Sequence, residues 1–482
     1  MSRRMAKRIP ALCLAASMLG ACAQLPSVGP DYRAPDFKLP ANWTTARATA
    51  EVPADLARWW QQLDDPLLER LIDEALAGSL DLRLARSRLR QARAARQQSL
   101  SGYSPTLTTA VGGSRSKAAE AVSTQQERTL YDVGFDASWE IDLFGGTRRA
   151  VEAATADQAA VAADLENTRV SLLAEVAQNY VDLRSYQQRL AIARDNLDSQ
   201  SATLQLTEWR NRAGLASSSD VEQARSNREQ TRAGIPDLEV GLAAAANRLA
   251  VLLGRHPGTL PGELRDVRPL PTVKTAIGAG IPADVLRQRP DLRAAERTLA
   301  AETARVGQKL AARYPSLSLG GSFGWQGYSL AALGGSDTLL RAVSGSLAAT
   351  LFDGGKLRAA VAIQSALQEQ ALLSYEASVL GALEEVENAL TAYAAAHERV
   401  AARRAAADAA RNAARLSRSL YESGLTDFQK VLETERTRLT AEDSLATAEA
   451  AVLSNLIKLY KALGGGWQAS AAAPESDESG SS

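Results

Sequence analysis

Four acidic side chains, Asp132, Asp136, Glu140 and Asp142, fall at even positions of the segment YDVGFDASWEIDLFGG (residues 131–146). The odd positions from 131 to 143 are Tyr131, Val133, Phe135, Ala137, Trp139, Ile141 and Leu143, all apolar. Successive side chains of a strand point to opposite faces, so the spacing predicts a strand with one greasy face and one acidic, wet face. The acids have no catalytic company, because the chain offers no nucleophile, base and orienting group together. Its two histidines, His256 and His397, stand far apart with no cysteine nearby. Neither a zinc site nor a histidine-based triad is expected on the ligand logic. No catalytic residue, metal or cofactor follows from the sequence. Lysine plus arginine balances aspartate plus glutamate at 55 each, which gives no sign of a nucleic-acid partner.

The elements around this strand repeat. Asp81-Leu82-Arg83 recurs as Asp291-Leu292-Arg293, Gly214-Leu215 as Gly424-Leu425, and Leu253-Gly254 as Leu463-Gly464, always 210 residues on (291 against 81, 424 against 214). Each copy reads helix, strand, strand, long helix, turn, helix. Alternation predicts strands at about 105–115 and 130–143 in the first copy and about 315–326 and 339–352 in the second. Their connections, 114–128 and 327–337, are polar or small. Residues 147–213 hold no proline or glycine, and 356–423 hold only Gly381, so each reads as one very long helix. Pro105 and Pro315 stop a helix before a strand. The pairs Gly145-Gly146 and Gly354-Gly355 mark the elbows from strand to long helix, where glycine tolerates unusual dihedrals. No Lys-Ser/Thr follows these glycines, which argues against a phosphate loop.

Arg3, Arg4, Lys7 and Arg8 precede an apolar run from Ile9 to Leu19, the layout of a secretory signal. Its end, Leu19-Gly20-Ala21-Cys22, resembles a lipoprotein signal, so residues 1–21 are expected to leave and Cys22 to carry lipid such as palmitate. With Cys13 lost in the signal, no internal disulfide is expected. No later stretch reads as a spanning helix, so any membrane crossing must use strands. The smallest single-chain barrels use eight strands, whereas this chain offers four; several chains must therefore close one barrel. The same alternation would also suit a soluble sheet packed on helices.

The stretches Gly29-Pro30-Asp31-Tyr32, Trp59-Trp60 and Arg289-Pro290-Asp291-Leu292-Arg293-Ala294-Ala295-Glu296 match a known family. So do Tyr314-Pro315-Ser316-Leu317-Ser318-Leu319, Phe352-Asp353-Gly354-Gly355, Leu459-Tyr460-Lys461-Ala462-Leu463 and Gly464-Gly465-Gly466-Trp467. Across nearly its whole mature length the chain resembles the outer-membrane channels of tripartite efflux pumps, the OprM/NodT type related to TolC. The resemblance implies a mostly α fold with a small transmembrane β-barrel portion, in a homotrimer of twelve strands continued by an α-helical tunnel. It also implies outer-membrane lipid around the barrel, a periplasmic adaptor and an inner-membrane pump of the RND type as partners, and a passive duct for drugs or other small molecules. The lumen would then be lined by Asp132, Asp136, Glu140 and Asp142. A constriction would fall on Gln429, Glu433 and Arg436, which share a helix face at i, i+4 and i+7. One family member aligned over this stretch has leucine and aspartate where this chain has Gln429 and Glu433. Gly214-Leu215 and Gly424-Leu425 would be the adaptor-docking tips. The resulting division is an extended segment over 22–58, repeats over 59–254 and 286–467, an equatorial linker over 255–285 and a small acidic tail over 468–482. A duct for protein or polysaccharide secretion and a lipid-anchored coiled-coil scaffold are the alternatives. No nucleotide-binding motif is present, so energy must come from a partner.

Overall fold

The structure, a computed structural model, describes residues 27–37, 43, 56–117, 127–259, 262–272 and 283–467. The signal stretch 1–21, Cys22 and the tail 468–482 lie outside the described residues, as does 118–126 between the first two strands. Much of 22–58 and part of the linker (260–261 and 273–282) are outside them too. Helices α1 (Pro66–Gly78) and α2 (Leu80–Leu100) lead into strands β1 (Thr106–Ser116) and β2 (Arg128–Ile141). Helices α3 (Gly146–Arg212) and α4 (Ser218–Leu252) complete the first copy. The second copy is α5 (Pro290–Ala311), β3 (Ser316–Gly327), β4 (Leu339–Ala348), α6 (Lys356–Glu422) and α7 (Phe428–Ala462).

The duplication is visible in element lengths. Both α3 and α6 have 67 residues, about 100 Å of helical rise each. Both α4 and α7 have 35. No helix among the described residues is long and apolar enough to cross a membrane. The strands form one antiparallel sheet in the order β1-β2-β3-β4, so β2 and β3 pair across the two copies.

Strand ends are set by hydrogen-bond supply. β4 stops at Ala348, short of the expected 352, because its partner Ser316 is the first residue of β3 and Pro315 before it has no N–H to offer. β2 stops at Ile141, where the Leu143 N–H folds back to the Ile141 carbonyl (2.9 Å) in a tight turn around Asp142. Asp142 thus leaves the strand that the alternation assigned it to. Its Oδ2 accepts from the Arg148 N–H at the start of α3 (2.9 Å), where helical N–H groups lack intrahelical partners.

The described residues fall into two compact units, to which α3 and α6 each contribute. The first comprises Met1–Asp36, Arg88–Ala162 and Ala294–Glu376, and holds the whole sheet. At its elbow, the buried Arg149 donates to the Val28 and Gly29 carbonyls (3.3 Å each) and pairs with Asp31 (2.7 Å), clamping the N-terminal segment. A side chain at Gly145 (φ +83°) would collide with Ser27 there. Gly354 and Gly355 also have positive φ, and Asp353 caps α6 by accepting from the Gly355 and Leu357 N–H groups (2.8 Å each).

The second unit comprises Phe37–Ser87, Ala163–Arg293 and Ala377–Ser482. Its core stacks Trp59 on Tyr460, with ring centroids 5.0 Å apart, among fully buried Leu63, Leu68, Leu71, Ile72 and Leu173. Arg184, also fully buried, donates to Gln187 Oε1 and the Asp266 carbonyl (2.7 Å each), tying the linker to α3. Arg289 donates to the Ala462 carbonyl (2.7 Å) and pairs with Asp291 (2.7 Å) and Glu385 (2.8 Å).

Candidate functional site

In the first unit, the sheet sorts its side chains by face. Asp136 stands opposite Thr108 on β1 and Ser322 on β3; Asp132 stands opposite Gly112 and Gln326, and Glu140 opposite Ser318. One face therefore gathers the acids with hydroxyl, amide and glycine neighbours around Asp132, Asp136 and Glu140. On the other, Phe135 lies opposite Phe323, Val133 opposite Trp325 and Trp139 opposite Leu319. Leu107, Val111, Val343 and Leu347 extend the apolar set and are exposed on the single chain. A wide, exposed apolar face on a four-stranded sheet requires another apolar medium to cover it. Among the described residues, β1 and β4 each leave one edge unpaired, although an unpaired backbone edge cannot lie in hydrocarbon.

In the second unit, two helical hairpins end alike. Gly214 (φ +74°) and Gly424 (φ +75°) take the left-handed conformation that closes a helix. The N–H groups of Leu215 and Leu425 return to the Arg210 and Leu420 carbonyls (2.8 Å each). Both leucines are left outside, 70% and 74% exposed. Ser217 then caps α4 in a reciprocal box with Asp220, and Asp427 caps α7 by accepting from the Lys430 N–H (2.9 Å). Between the hairpins sits a small core of Leu204, Val221, Tyr421, Phe428, Val431 and Leu432.

The three residues assigned to the constriction divide into two kinds. Gln429 donates to Gln223, and Arg436 Nε donates to Asn227 Oδ1 (2.8 Å), so both bridge α7 to α4. Glu433 instead pairs with Lys430 on its own helix (3.0 Å) and remains exposed. Gln223 and Asn227 are four residues apart on one face of α4. They were not singled out from the sequence, although position 223 is the counterpart of 433 at the 210-residue offset.

Behind this face lie two buried acids that the sequence reading also passed over. Burial, at 5% exposure, pushes the Glu435 carboxyl above its ordinary range, and the bond from Thr203 Oγ1 (2.7 Å) offsets only part of that. Burial likewise pushes Glu442 up, but bonds from Asn196 (3.2 Å) and Arg411 (3.0 Å), with the Arg438 guanidinium, hold it below the usual carboxylate range. Apolar-patterned helices with single charges give no sign of which acid turns inward.

The chain matches the outer membrane efflux protein family over residues 71–255 and 281–465, one span for each repeat. It belongs to that family. Nodulation protein T of Rhizobium leguminosarum bv. viciae is 32% identical to it over 457 residues, covering 95% of this chain and 94% of that protein. The pyoverdine export outer membrane protein OpmQ of Pseudomonas aeruginosa is 32% identical over 465 residues, covering 94% and 97%. Among solved structures, the outer-membrane channel OprN is similar at a TM-score of 0.86 and 38% identity, covering 91% of this chain and 99% of that one. This outer membrane efflux protein is accordingly an outer-membrane exit duct of a tripartite efflux system, in a family of channels rather than enzymes. The expected class, long duplicated helices with two β-hairpins, is the one that its structure has and its relatives share.

Proposed function

We propose that three copies of this outer membrane efflux protein close a single twelve-stranded barrel, and that its helices continue it as a passive periplasmic tunnel. The observation that carries the reading is the sheet, which among the described residues has four strands, two unpaired edges, one face carrying the acids and one apolar face. Twelve strands are well above the eight of the smallest barrels and leave room for a water-filled lumen. Asp132, Asp136 and Glu140 face that lumen, and the apolar face meets outer-membrane lipid. Cys22, once lipidated, anchors each copy to the same membrane. Gln429, Glu433 and Arg436 narrow the far end, with three copies of Glu433 forming a carboxylate ring that biases ions. The exposed Leu215 and Leu425 tips dock a periplasmic adaptor, which couples the duct to an inner-membrane RND pump. The cargo is a small molecule, in keeping with the pyoverdine named for OpmQ.

The test is the mass of the full-length protein extracted from outer membranes into lipid nanodiscs, with mass spectrometry of its N-terminal peptide. Three copies per particle and a lipid on Cys22 are expected. A particle of one or two copies overturns the closed barrel, and an unmodified Cys22 overturns the anchor.

A further inference from the structure

Helix α2 carries six arginines and one acid, Asp81. Arg83, Arg86, Arg90 and Arg93 recur at steps of three and four, which places them in one stripe along the helix. Arg90 and Arg93, in the first unit, are exposed and make no ion pair or hydrogen bond within the chain among the described residues. Side-by-side bonds show what lies beside them. Arg96 Nε donates to Thr155 Oγ1 (3.0 Å), joining α2 to α3. Arg305 pairs with Asp157, joining α5 to α3, and Gln368 Nε2 donates to Thr303 Oγ1 (3.1 Å), joining α6 to α5. The helices of this unit thus follow the strand order, and α2 and α6 are its two edge helices as β1 and β4 are its two edge strands.

The duplication tells which way the stripe looks. Positions 86 and 93 correspond, at the 210-residue offset, to Glu296 and Thr303 of α5. There Glu296 accepts from the Tyr32 hydroxyl (2.8 Å), and Thr303 lines a cavity of about 550 Å³ shared with Tyr32, Glu369 and Glu376. Glu369 and Glu376 of α6 therefore look out on the same side of the wall as the arginine stripe. Neither has an ion pair or hydrogen bond of its own among the described residues. Beside the charges, α2 exposes Gln91, Ala94 and Gln98, and α6 exposes Ala362, Ala366 and Leu373. An uncharged seam flanked by opposite charges on its two sides is how two helices select each other.

We propose that the α2 edge of one copy packs antiparallel on the α6 edge of the next, with Arg93 paired to the partner subunit's Glu369 and Arg90 to the partner subunit's Glu376. The inference rests on the multi-copy barrel above, whose closure brings β1 of one copy to β4 of another. The pairing gives the wall below the barrel its own recognition between copies and fixes the order in which edges meet.

The test uses full-length protein in detergent at low ionic strength, with the assembled fraction followed by native mass measurement on dilution. Arg90→Glu with Arg93→Glu is expected to raise the half-dissociation concentration at least ~10-fold, since each seam trades attraction for repulsion. Glu369→Arg with Glu376→Arg is expected to do the same. All four changes together are expected to restore assembly to within ~3-fold of the original. Arg88→Glu, some 200° round the helix from its Arg86 and Arg90 neighbours, is expected to change nothing. At 1 M salt, where the screening length is ~3 Å, the variants should converge. Reversal of either pair without effect, or a fourfold variant worse than both, overturns the pairing and leaves the barrel reading intact. Unaltered protein that stays monomeric overturns both.

Discussion

Replacing Arg436 by alanine separates a latch at the hairpin tips from a mere ring of charge. Arg436 Nε donates to Asn227 Oδ1 at 2.8 Å, and Asn227 is only 3% exposed, with its Nδ2 already lacking a partner among the described residues. Arg436→Ala therefore leaves a buried amide with neither group satisfied. A hydrogen bond from a charged donor contributes ~1.5–3 kcal/mol, and the exposed Arg436 places the loss toward the low end, ~1–2 kcal/mol per chain. At 1.4 kcal/mol per tenfold, the opening equilibrium of each hairpin pair shifts ~5–30-fold. Single-channel recording in planar bilayers reads this as a longer-lived or larger conducting state. Asn227→Ala should behave alike, and the double variant should fall short of additivity because both changes remove one interaction. Glu433→Ala, whose partner Lys430 is on its own helix, should leave the conducting fraction near that of the unaltered protein and lower its preference for cations. An Arg436→Ala channel as closed as the original, beside a Glu433→Ala channel that opens, would refute the latch.

Three further outcomes follow from the same structure. Because burial raises the Glu435 carboxyl, the folded tip holds its proton more readily than the unfolded chain does; stability is full below the ordinary carboxylate range and falls as pH rises through the raised value. Glu435→Gln should flatten that slope in thermal unfolding from pH 4 to pH 8, and a slope unchanged by the substitution would assign it to other groups. Gly324→Val should weaken the sheet by ~1–3 kcal/mol, since its Cβ would run into the Val133 carbonyl and, at 2.6 Å, Gly134 Cα; assembly as resistant to heat and detergent as before would count against that close approach. Asp132→Asn with Asp136→Asn should lower the ratio of cation to anion permeability in reversal-potential measurements, and an unaltered ratio would place the acids outside the lumen.

The sequence announced its sheet through strict alternation around Phe135 and Trp139, and its helices through the missing turn residues of 147–213. Those signals are local, so they survive in a single chain. Pairings between distant segments left no such trace. That β2, already paired with β1 of its own copy, gives its other edge to β3 depends on which edges remain free, and neither segment encodes its neighbour. Asp142 shows how a local rule yields to a stronger local need, since helix α3 takes it as a cap. Gln223 and Asn227 read as ordinary polar residues on an exposed helix until α7 is laid against them. Glu435 and Glu442 resemble any surface acid in a charged helix, and only the packed hairpins show which way they turn.

The most direct measurement is the current carried by the purified, assembled protein in a planar lipid bilayer. Discrete conductance steps are expected, larger when the Arg436 latch is removed, with a reversal potential that favours cations. Assembled protein that inserts but carries no more current than bare lipid, with or without the latch, would contradict the reading as a duct.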